Sequence, residues 1–157
     1  IILSANLIRQ PATPTKSQIR PTQAQAAQSL ATGSIGHAVT IGLWQVTVNG
    51  VKTSAGDHVF APHPGNIFLI ADVTVQNDSS APQLISSGLM FILKDSTGQA
   101  YNETITDIGK PLDGTVQAID KLRGQIIYEV PTVDHNFTFQ FQDSIYYANV
   151  GMWNISV

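Results

Sequence analysis

Cysteine is absent from the 157 residues of the chain, which excludes disulfides, thiolate metal sites and cysteine nucleophiles. Charged residues are scarce as well, at 12% of the chain against about a quarter in an average globular protein. Serine, threonine, asparagine and glutamine replace them, a composition common on the surfaces of all-β extracytoplasmic proteins. No apolar run approaches the roughly 18 residues that a bilayer-spanning helix requires. We therefore expect no membrane-spanning segment in this sequence.

Positive charge is too sparse and too dispersed to bind nucleic acid. The formal net charge is −3, and residues 1–35 hold Arg9, Lys16 and Arg20 with no acidic residue. All eleven acidic residues follow this segment, so the remainder of the chain is acidic and has no basic patch. The first residue is Ile1 rather than Met, as in an exported protein after processing or in a trimmed chain. We expect an extracellular or cell-surface location and no nucleic-acid partner.

Catalytic motifs are also missing. There is no Gly-x-Ser-x-Gly and no His-Glu-x-x-His sequence. Four carboxylates lie near expected turns or strand ends, namely Asp57, Asp95, Asp113 and Glu129. A glycosidase would need two of them held across a cleft, but solvated surface acids are the favoured interpretation. Residues 95–98 are too few for a calcium loop. We expect a protein that is not an enzyme, with no cofactor and no metal site.

Residues 65–77, GNIFLIADVTVQN, carry the strongest structural signal. Every second side chain is small-aliphatic or β-branched: Ile67, Leu69, Ala71, Val73 and Val75. The intervening positions begin apolar and become polar, which indicates a strand with one face in the core and the other reaching water toward its end. Turn-forming residues bound the segment on both sides.

Further short strands follow along residues 36–157. They are expected at 37–41, 43–48, 89–93, 125–130 and 137–141, with Trp153, Ile155 and Val157 closing the chain. Leu89 is expected to face inward, and Asn49-Gly50 is read as a turn. Seven or more strands with regular turn signals predict an all-β fold, an immunoglobulin-like antiparallel β-sandwich over residues 36–157.

Three segments in this order resemble a known family. They are Val73 to Asn77, the hairpin Asp95-x-x-Gly98-x-x-Tyr101, and Gly124 to Pro131. Together they resemble the telokin-like immunoglobulin-fold domains of secreted bacterial antigens and lipoproteins. The resemblance covers roughly residues 36–157 and implies no catalytic residue, because none is assigned in that family. No lipid-bearing cysteine precedes the domain here.

The remaining residues, 1–35, are expected to form an N-terminal strand and a Pro/Gln-rich linker. Residues 1–8 alternate in strand fashion, with Ile1, Leu3, Ala5 and Leu7 forming an apolar face, and a short helix is considered over 22–30. One interpretation is that this strand completes the sheet of a neighbouring copy, which gives head-to-tail filaments. Others are a strand folded back onto its own domain and the remnant of a signal or anchor. The partner expected first is thus another copy of the chain.

A different class of function is a tethered surface domain that binds a small ligand, sugar or metal. His58 and His63 share the 52–64 loop with Asp57, although their spacing fixes no metal geometry. Tyr146 and Tyr147 are adjacent, so one of the two rings is expected to be exposed. Three other aromatic residues, Trp44, Trp153 and Tyr101, could contribute to a sugar-stacking platform, but the two tryptophans lie in register with aliphatic residues, which favours core packing.

Four Asn-x-Ser/Thr sequons occur, at Asn77, Asn102, Asn136 and Asn154. All four lie at expected strand ends or turns, where a glycan could be accommodated. They are glycosylation sites only in an organism that glycosylates exported proteins at asparagine.

Overall fold

Two β-sheets enclose a common core in the computed structural model, which describes residues 29–144 and 149–157. The first sheet has the strand order β1 (Ser29–Gly33), β11 (Asn149–Ser156), β10 (Asn136–Gln142), β6 (Phe91–Asp95) and β7 (Ala100–Tyr101). The second has β2 (Ala38–Ile41), β3 (Trp44–Ser54), β4 (Asn66–Asn77) and β9 (Lys121–Pro131). The predicted β-sandwich is confirmed.

Two short elements lie outside these sheets. Strands β5 (Gln83–Ile85) and β8 (Gly114–Val116) pair with each other, and α1 (Ser87–Met90) is a single helical turn before β6. No helix in the described part of the chain has the length and apolar character to cross a membrane. Between strands of the same sheet, every pairing is antiparallel except that of β1 with β11, which is parallel.

The core forms where the alternating side chains of both sheets meet. Leu69 and Val73 of β4 face Phe139 of β10, and all three are fully buried. Trp153 packs against Phe139 with ring centroids 6.2 Å apart, a separation that favours tilted aromatic pairs. The alternating apolar side chains of β4 and β10 thus lie in the core, as the sequence pattern predicts.

A second, smaller apolar cluster covers the opposite face of the second sheet. Phe68 and Ile70 of β4 and Ile127 of β9 are buried there, with Ile108 packed against them. Ile108 belongs to the irregular segment between β7 and β8. This explains why the outer face of β4 begins apolar and turns polar only after Ile70, because only the first half of the strand is covered.

The sandwich begins before residue 36. Residues 29–33, assigned above to the linker with a helix ending near them, instead form β1, which pairs with β11 from Ser29–Asn149 to Gly33–Trp153. A side chain at Gly33 would collide with the Trp153 indole, so the glycine allows the close approach of the two strands. Because its residues are small or polar, this edge strand shows no apolar alternation and cannot be identified from the sequence pattern.

Two local expectations are wrong. Asn49-Gly50 is not a turn but a bulge inside β3, where the register against β4 shifts between Val48 and Gly50. The Asn49 side chain donates hydrogen bonds to Asp72 Oδ1 at 2.8 Å and Thr74 Oγ1 at 2.9 Å, which accounts for its place in the sheet. Leu89 is 64% exposed, because the α1 turn directs Ser87 and Met90 inward instead.

Candidate functional site

A cavity of about 540 Å³ lies between α1, the outer edge of β9 and the segment that runs from residue 103 to 113. Two backbone hydrogen bonds hold this segment against β9: Thr104 N–H donates to Ile127 O at 2.7 Å, and Gln125 N–H donates to Lys110 O at 2.6 Å. Residues 104–110 are therefore anchored at both ends on a sheet edge. We call residues 103–111 the strap.

The cavity wall is part apolar and part acidic. Ile105, Ile108 and Pro111 of the strap and Ile127 of β9 supply apolar surface, and Ile105 is 96% exposed. Its acidic side chains are Glu103, Asp107 and Asp113, and no Lys, Arg or His side chain is among its described lining residues.

Ser87 joins two of these acids. This residue is fully buried in the α1 turn, and its Oγ lies 2.6 Å from Glu103 Oε2 and 2.9 Å from Asp113 Oδ2. The Ser87 amide also donates to Asp113 Oδ1 at 3.0 Å. Because three separate chain segments meet here, the fold fixes the positions of both carboxyl groups. We call Ser87, Glu103 and Asp113 the acid pair with its serine.

The Ser87 hydroxyl and amide are the donors that the protein supplies to this cluster. A serine hydroxyl has a single proton, so Ser87 Oγ can donate to only one of the two carboxyl groups at a time. Asp113 keeps the bond from the Ser87 amide and is exposed to solvent, whereas Glu103 is half-buried. Burial raises the pKa of Glu103, the bond from Ser87 opposes this, and the charge of Asp113 raises it again. Of the two acids, Glu103 is thus the one whose surroundings favour the protonated form.

The Tyr128 hydroxyl is a buried polar group with no hydrogen-bond partner. Tyr128 forms an antiparallel bridge with Glu103, and residues directly opposite in such a pair project from the same face. Burial, and to a smaller extent the charge of Glu103, raises the pKa of this phenol, which therefore stays protonated. The Tyr128 side chain lies in the core between the sheets, with the ring centroid 6.2 Å from that of Phe139, and it is not among the described lining residues of the cavity.

The histidines of the 52–64 loop lie elsewhere. His63 contacts Glu129 through its ring Nδ1 and its backbone amide, both 2.7 Å from Glu129 Oε1, and Asn66 donates to the same oxygen at 2.8 Å. These donors, Asn66 first, hold the pKa of Glu129 below its usual value. His58 is exposed in the turn that Asp57 closes. Within residues 29–144 and 149–157, no three His, Asp or Glu side chains are placed to hold a metal ion.

One of the four sequons conflicts with the structure. Asn77 is fully buried, and its amide nitrogen donates to the carbonyl oxygens of Ala81, Val116 and Gln117, so the folded chain cannot accept a glycan there. The other three, Asn102, Asn136 and Asn154, are exposed and stay predictions.

The aromatic residues weighed for sugar binding divide in two groups. Trp44 and Trp153 lie in the core, as favoured above, and Tyr101 is half-buried with its hydroxyl 3.0 Å from Asp95 Oδ2. The remaining predicted contact and assembly residues, Tyr146, Tyr147, Ile1, Leu3, Ala5 and Leu7, lie outside the described residues.

The cluster was not recognised from the sequence. The sequence indicates only that Asp113 lies near a turn, and it gives no reason to select Glu103 or Ser87. The three residues are 16 and 26 positions apart along the chain, and no local pattern connects them. The neighbours of Glu103 in sequence, Asn102 and Thr104, are polar and give no signal of a site.

The sequence matches one family model over residues 33–150, described as "Domain of unknown function (DUF4352)". It matches no curated protein. Similar solved structures include a candidate lipoprotein of Bacillus subtilis, at 17% identity and TM-score 0.61, covering 76% of this chain. This chain spans only 38% of the length of that protein.

Two other similar structures support the fold. A secreted protein of Mycobacterium tuberculosis is 15% identical with TM-score 0.57, covering 78% of this chain and 95% of its own. An uncharacterized β-sandwich protein of Clostridium difficile is 11% identical with TM-score 0.54, covering 86% of this chain and 99% of its own.

Proposed function

The chain belongs to the family of domains of unknown function DUF4352, and we propose that it is a non-catalytic extracytoplasmic interaction module that binds its ligand in the cavity beneath the strap. The observation that carries the proposal is the acid pair with its serine. Two carboxyl groups are fixed by a buried hydroxyl at the wall of a cavity of about 540 Å³. Concave sites with few convergent polar groups on a rigid scaffold are typical of ligand binding.

The chemistry of Ser87 favours binding over catalysis. A nucleophilic serine needs a neighbouring base and exposure to substrate. Ser87 is fully buried and bonded between two acids, and the described cavity lining has no histidine or lysine that could activate it.

Export is proposed from two lines of support. The similar structures include a secreted protein and a candidate lipoprotein, and the composition is low in charge and free of cysteine. The telokin-like immunoglobulin classification remains part of this proposal. Immunodetection of the protein in fractionated source cells tests it, and recovery in the cytosolic fraction alone would contradict export.

Amide chemical shifts of the full chain test the binding function. A library of small polar compounds should include members that shift the amides of residues 87 and 103–113 in a saturable way. The amides at the other end of β4, near Asn77, serve as an internal control and should not move. If no compound shifts the strap, the binding function is wrong.

Self-assembly is a second candidate, and one observation favours it. Strand β1 is the outermost strand of the first sheet, and residues 1–28 lead directly into it, so the N-terminal segment joins the domain at a sheet edge. Exposed edges of this kind accept added strands. We propose that residues 1–8 would pair with another copy through Ile1, Leu3, Ala5 and Leu7.

Light scattering and negative-stain imaging test this candidate on the full chain and on a chain without residues 1–10. Long particles from the full chain and monomers from the shortened one are expected. Monomers from both, with equal stability, would rule out assembly through this strand.

A further inference from the structure

We propose that the outer face of the second sheet binds an acidic polysaccharide, a chain of sugars with carboxylate or sulfate groups, through Lys52, Arg123 and Lys110. This site is separate from the cavity beneath the strap and does not depend on the proposed function. The inference follows from the distribution of charge, from the way in which Arg123 is held and from the length of the surface.

Positive charge is concentrated on this face of an otherwise acidic domain. Residues 29–157 contain eleven acidic and five basic side chains, which gives a net charge of −6. Three of the five basic side chains, Lys52, Lys110 and Arg123, line two adjoining grooves of about 300 and 310 Å³. Asp72 is the one acidic residue among the described residues that line these grooves. Basic residues that are dispersed in the sequence thus form a patch that the sequence does not predict.

The two grooves form one surface across β3, β4 and β9, because they share three lining residues. A Cβ atom at Gly50 would meet no atom within 4 Å, so the bulge in β3 leaves space above the sheet at this point. We call the combined surface the basic groove, lined by Asn49, Lys52, Asp72, Lys110, Arg123 and Gln125.

Asp72 fixes the orientation of the Arg123 guanidinium group. Its carboxylate accepts hydrogen bonds from Arg123 Nε at 2.9 Å and Nη2 at 2.8 Å, and from the Asn49 amide at 2.8 Å. A guanidinium group has five N–H donors, so three remain for a ligand, and the Arg123 side chain is 65% exposed. Its planar donors match the paired oxygens of an acidic group. Asp72 is therefore a positioning residue for Arg123.

The lysines at the two ends of the groove set the length of the ligand. Lys52 and Lys110 are exposed and form no ion pair among the described residues. Strands β3, β4 and β9 and the strap are neighbours in this order, so the two lysines belong to segments about 14 Å apart, three times the strand spacing. One small anion cannot contact both lysines. A chain with repeated acidic groups can do so.

The uncharged part of the same face favours a sugar chain over other polyanions. Thr74 and Gln76 follow Asp72 on one face of β4, and Thr47 and Gln45 lie opposite them in β3. Their hydroxyl and amide groups both donate and accept, as sugar hydroxyls require.

Nucleic acids and acidic peptides fit the basic groove less well. No aromatic side chain is among its described lining residues, whereas single-stranded nucleic acids stack their bases on aromatic rings. The groove crosses the middle of a sheet rather than following an open edge, so a peptide could not bind there by adding a strand.

Isothermal titration calorimetry on the full chain tests the ligand class. Hexagalacturonate carries carboxylates, sulfated maltohexaose carries sulfates, and unmodified maltohexaose is the neutral control. We expect saturable binding of at least one acidic sugar, weakened by added sodium chloride, and no binding of the neutral one. Binding of neither acidic sugar, or equal binding of maltohexaose, would overturn the proposal. The order of the two acidic sugars identifies the acidic group, and either order supports the class.

Three lysine variants locate the site. Lys52→Gln and Lys110→Gln should each weaken binding of the better acidic sugar about threefold to fivefold. Lys94→Gln removes the same charge from the outer face of the first sheet, where Lys94 lies beside Gln140 and Met152, and should leave the affinity unchanged. A loss in Lys94→Gln as large as in Lys52→Gln would show a general charge effect and overturn the site.

Asp72→Ala separates a positioned arginine from simple attraction between charges. The substitution makes the groove more positive, so attraction alone would tighten binding of an acidic sugar. If Asp72 positions Arg123, binding should instead weaken by about threefold or more. Tighter binding would overturn the role of the Asp72–Arg123 pair.

Two further arms test the class and the place of binding. A single-stranded oligonucleotide and hexaglutamate of similar charge should bind more weakly than the acidic sugar, and tighter binding of either would overturn the polysaccharide class. Amide shifts on adding the sugar should occur in residues 49–52, 70–74 and 121–125. Shifts confined to residues 87 and 103–107 would overturn this site, while the proposed function of the strap cavity would stand.

Discussion

Glu103 and Glu129 lie one register position apart at the edge of the second sheet, since Glu103 bridges Tyr128, yet their surroundings act in opposite directions. Glu129 Oε1 has three nitrogen donors within 2.8 Å, and its pKa is lowered. Glu103 shares one hydroxyl with Asp113, and burial raises its pKa. The difference shows that burial and the supply of hydrogen-bond donors together set the direction in which the pKa of a carboxyl group moves.

The hydrogen bonds around the two glutamates also connect different segments of the chain. Around Glu129 the donors come from His63 of the preceding loop and from Asn66 at the start of β4, and they connect the loop to β9. Around Glu103 and Asp113 the donors come from Ser87 alone, through its hydroxyl and its amide. These bonds connect the α1 turn to the strap and to the segment before β8.

The largest expected effect comes from removing the hydroxyl that the acid pair shares. Ser87→Ala should lower the free energy of unfolding by about 1–2 kcal/mol at neutral pH, because it removes the hydroxyl that donates to the half-buried Glu103. Urea unfolding measures this. Ser156→Ala removes an exposed hydroxyl bonded to Asn136 and should change stability by less than about 0.5 kcal/mol. Equal effects of the two substitutions would mean that the acids are solvated in place.

The next effect tests the satisfied carboxylate. Glu129→Gln keeps an acceptor oxygen but loses the charge that strengthens three hydrogen bonds, and should destabilise the chain by about 1 kcal/mol. Denaturant unfolding at pH 7 gives the value. No change would show that the 63–66 loop does not depend on the Glu129 charge.

A smaller effect concerns the sign of the pH dependence. Glu103 has a raised folded-state pKa, so its stabilising contribution is present below its unfolded pKa of about 4.3 and is lost as pH rises through the folded value. Glu129 has a lowered pKa, so its contribution is present above about 4.3 and is lost as pH falls through the folded value.

Unfolding free energies from pH 3 to 7 should therefore give difference curves of opposite slope. Glu103→Gln should become more stable relative to the unaltered chain as pH rises, and Glu129→Gln less stable. Difference curves with the same slope would show that the pKa values of the two glutamates do not shift in opposite directions.

The smallest expected change in stability comes from removing single hydrogen-bond donors to Glu129. The His63 side chain is 84% exposed, so His63→Ala should cost at most about 0.5 kcal/mol, because its backbone amide and Asn66 remain as donors. Asn66→Ala should cost more, since Asn66 contributes most to the lowered pKa. Thermal unfolding of both variants at pH 7 decides the order, and a larger loss in His63→Ala would reverse it.

Much of the sandwich could be predicted from alternation alone. β4 and β10 each place every second side chain into the common core. The alternation of Phe137, Phe139 and Phe141 with polar residues is typical of a strand with one buried face. β1 could not be found in this way, because Ser29 to Gly33 is short and small and depends on Trp153 for its position. The Asn49 bulge was hidden for a similar reason, since its acceptors belong to the next strand.

The acid pair was beyond prediction for a physical reason. Its geometry arises where a helical turn, a strap and the start of β8 meet, and no two of its members are neighbours in sequence. The loop histidines were visible because they share a segment, yet His63 and His58 do not converge on a site. Local spacing detects motifs within one segment, whereas this cluster depends on tertiary contacts.

The parallel pairing of β1 with β11 determines how the domain responds to force. Tension applied through residues before Ser29 and after Ser156 pulls the two strands in opposite directions along their own axes. The hydrogen bonds between Ser29–Asn149 and Gly33–Trp153 are then loaded together in shear rather than opened one at a time. Because forced unfolding is governed by the barrier to rupture, a domain pulled through its first and last strands would resist extension at this pairing.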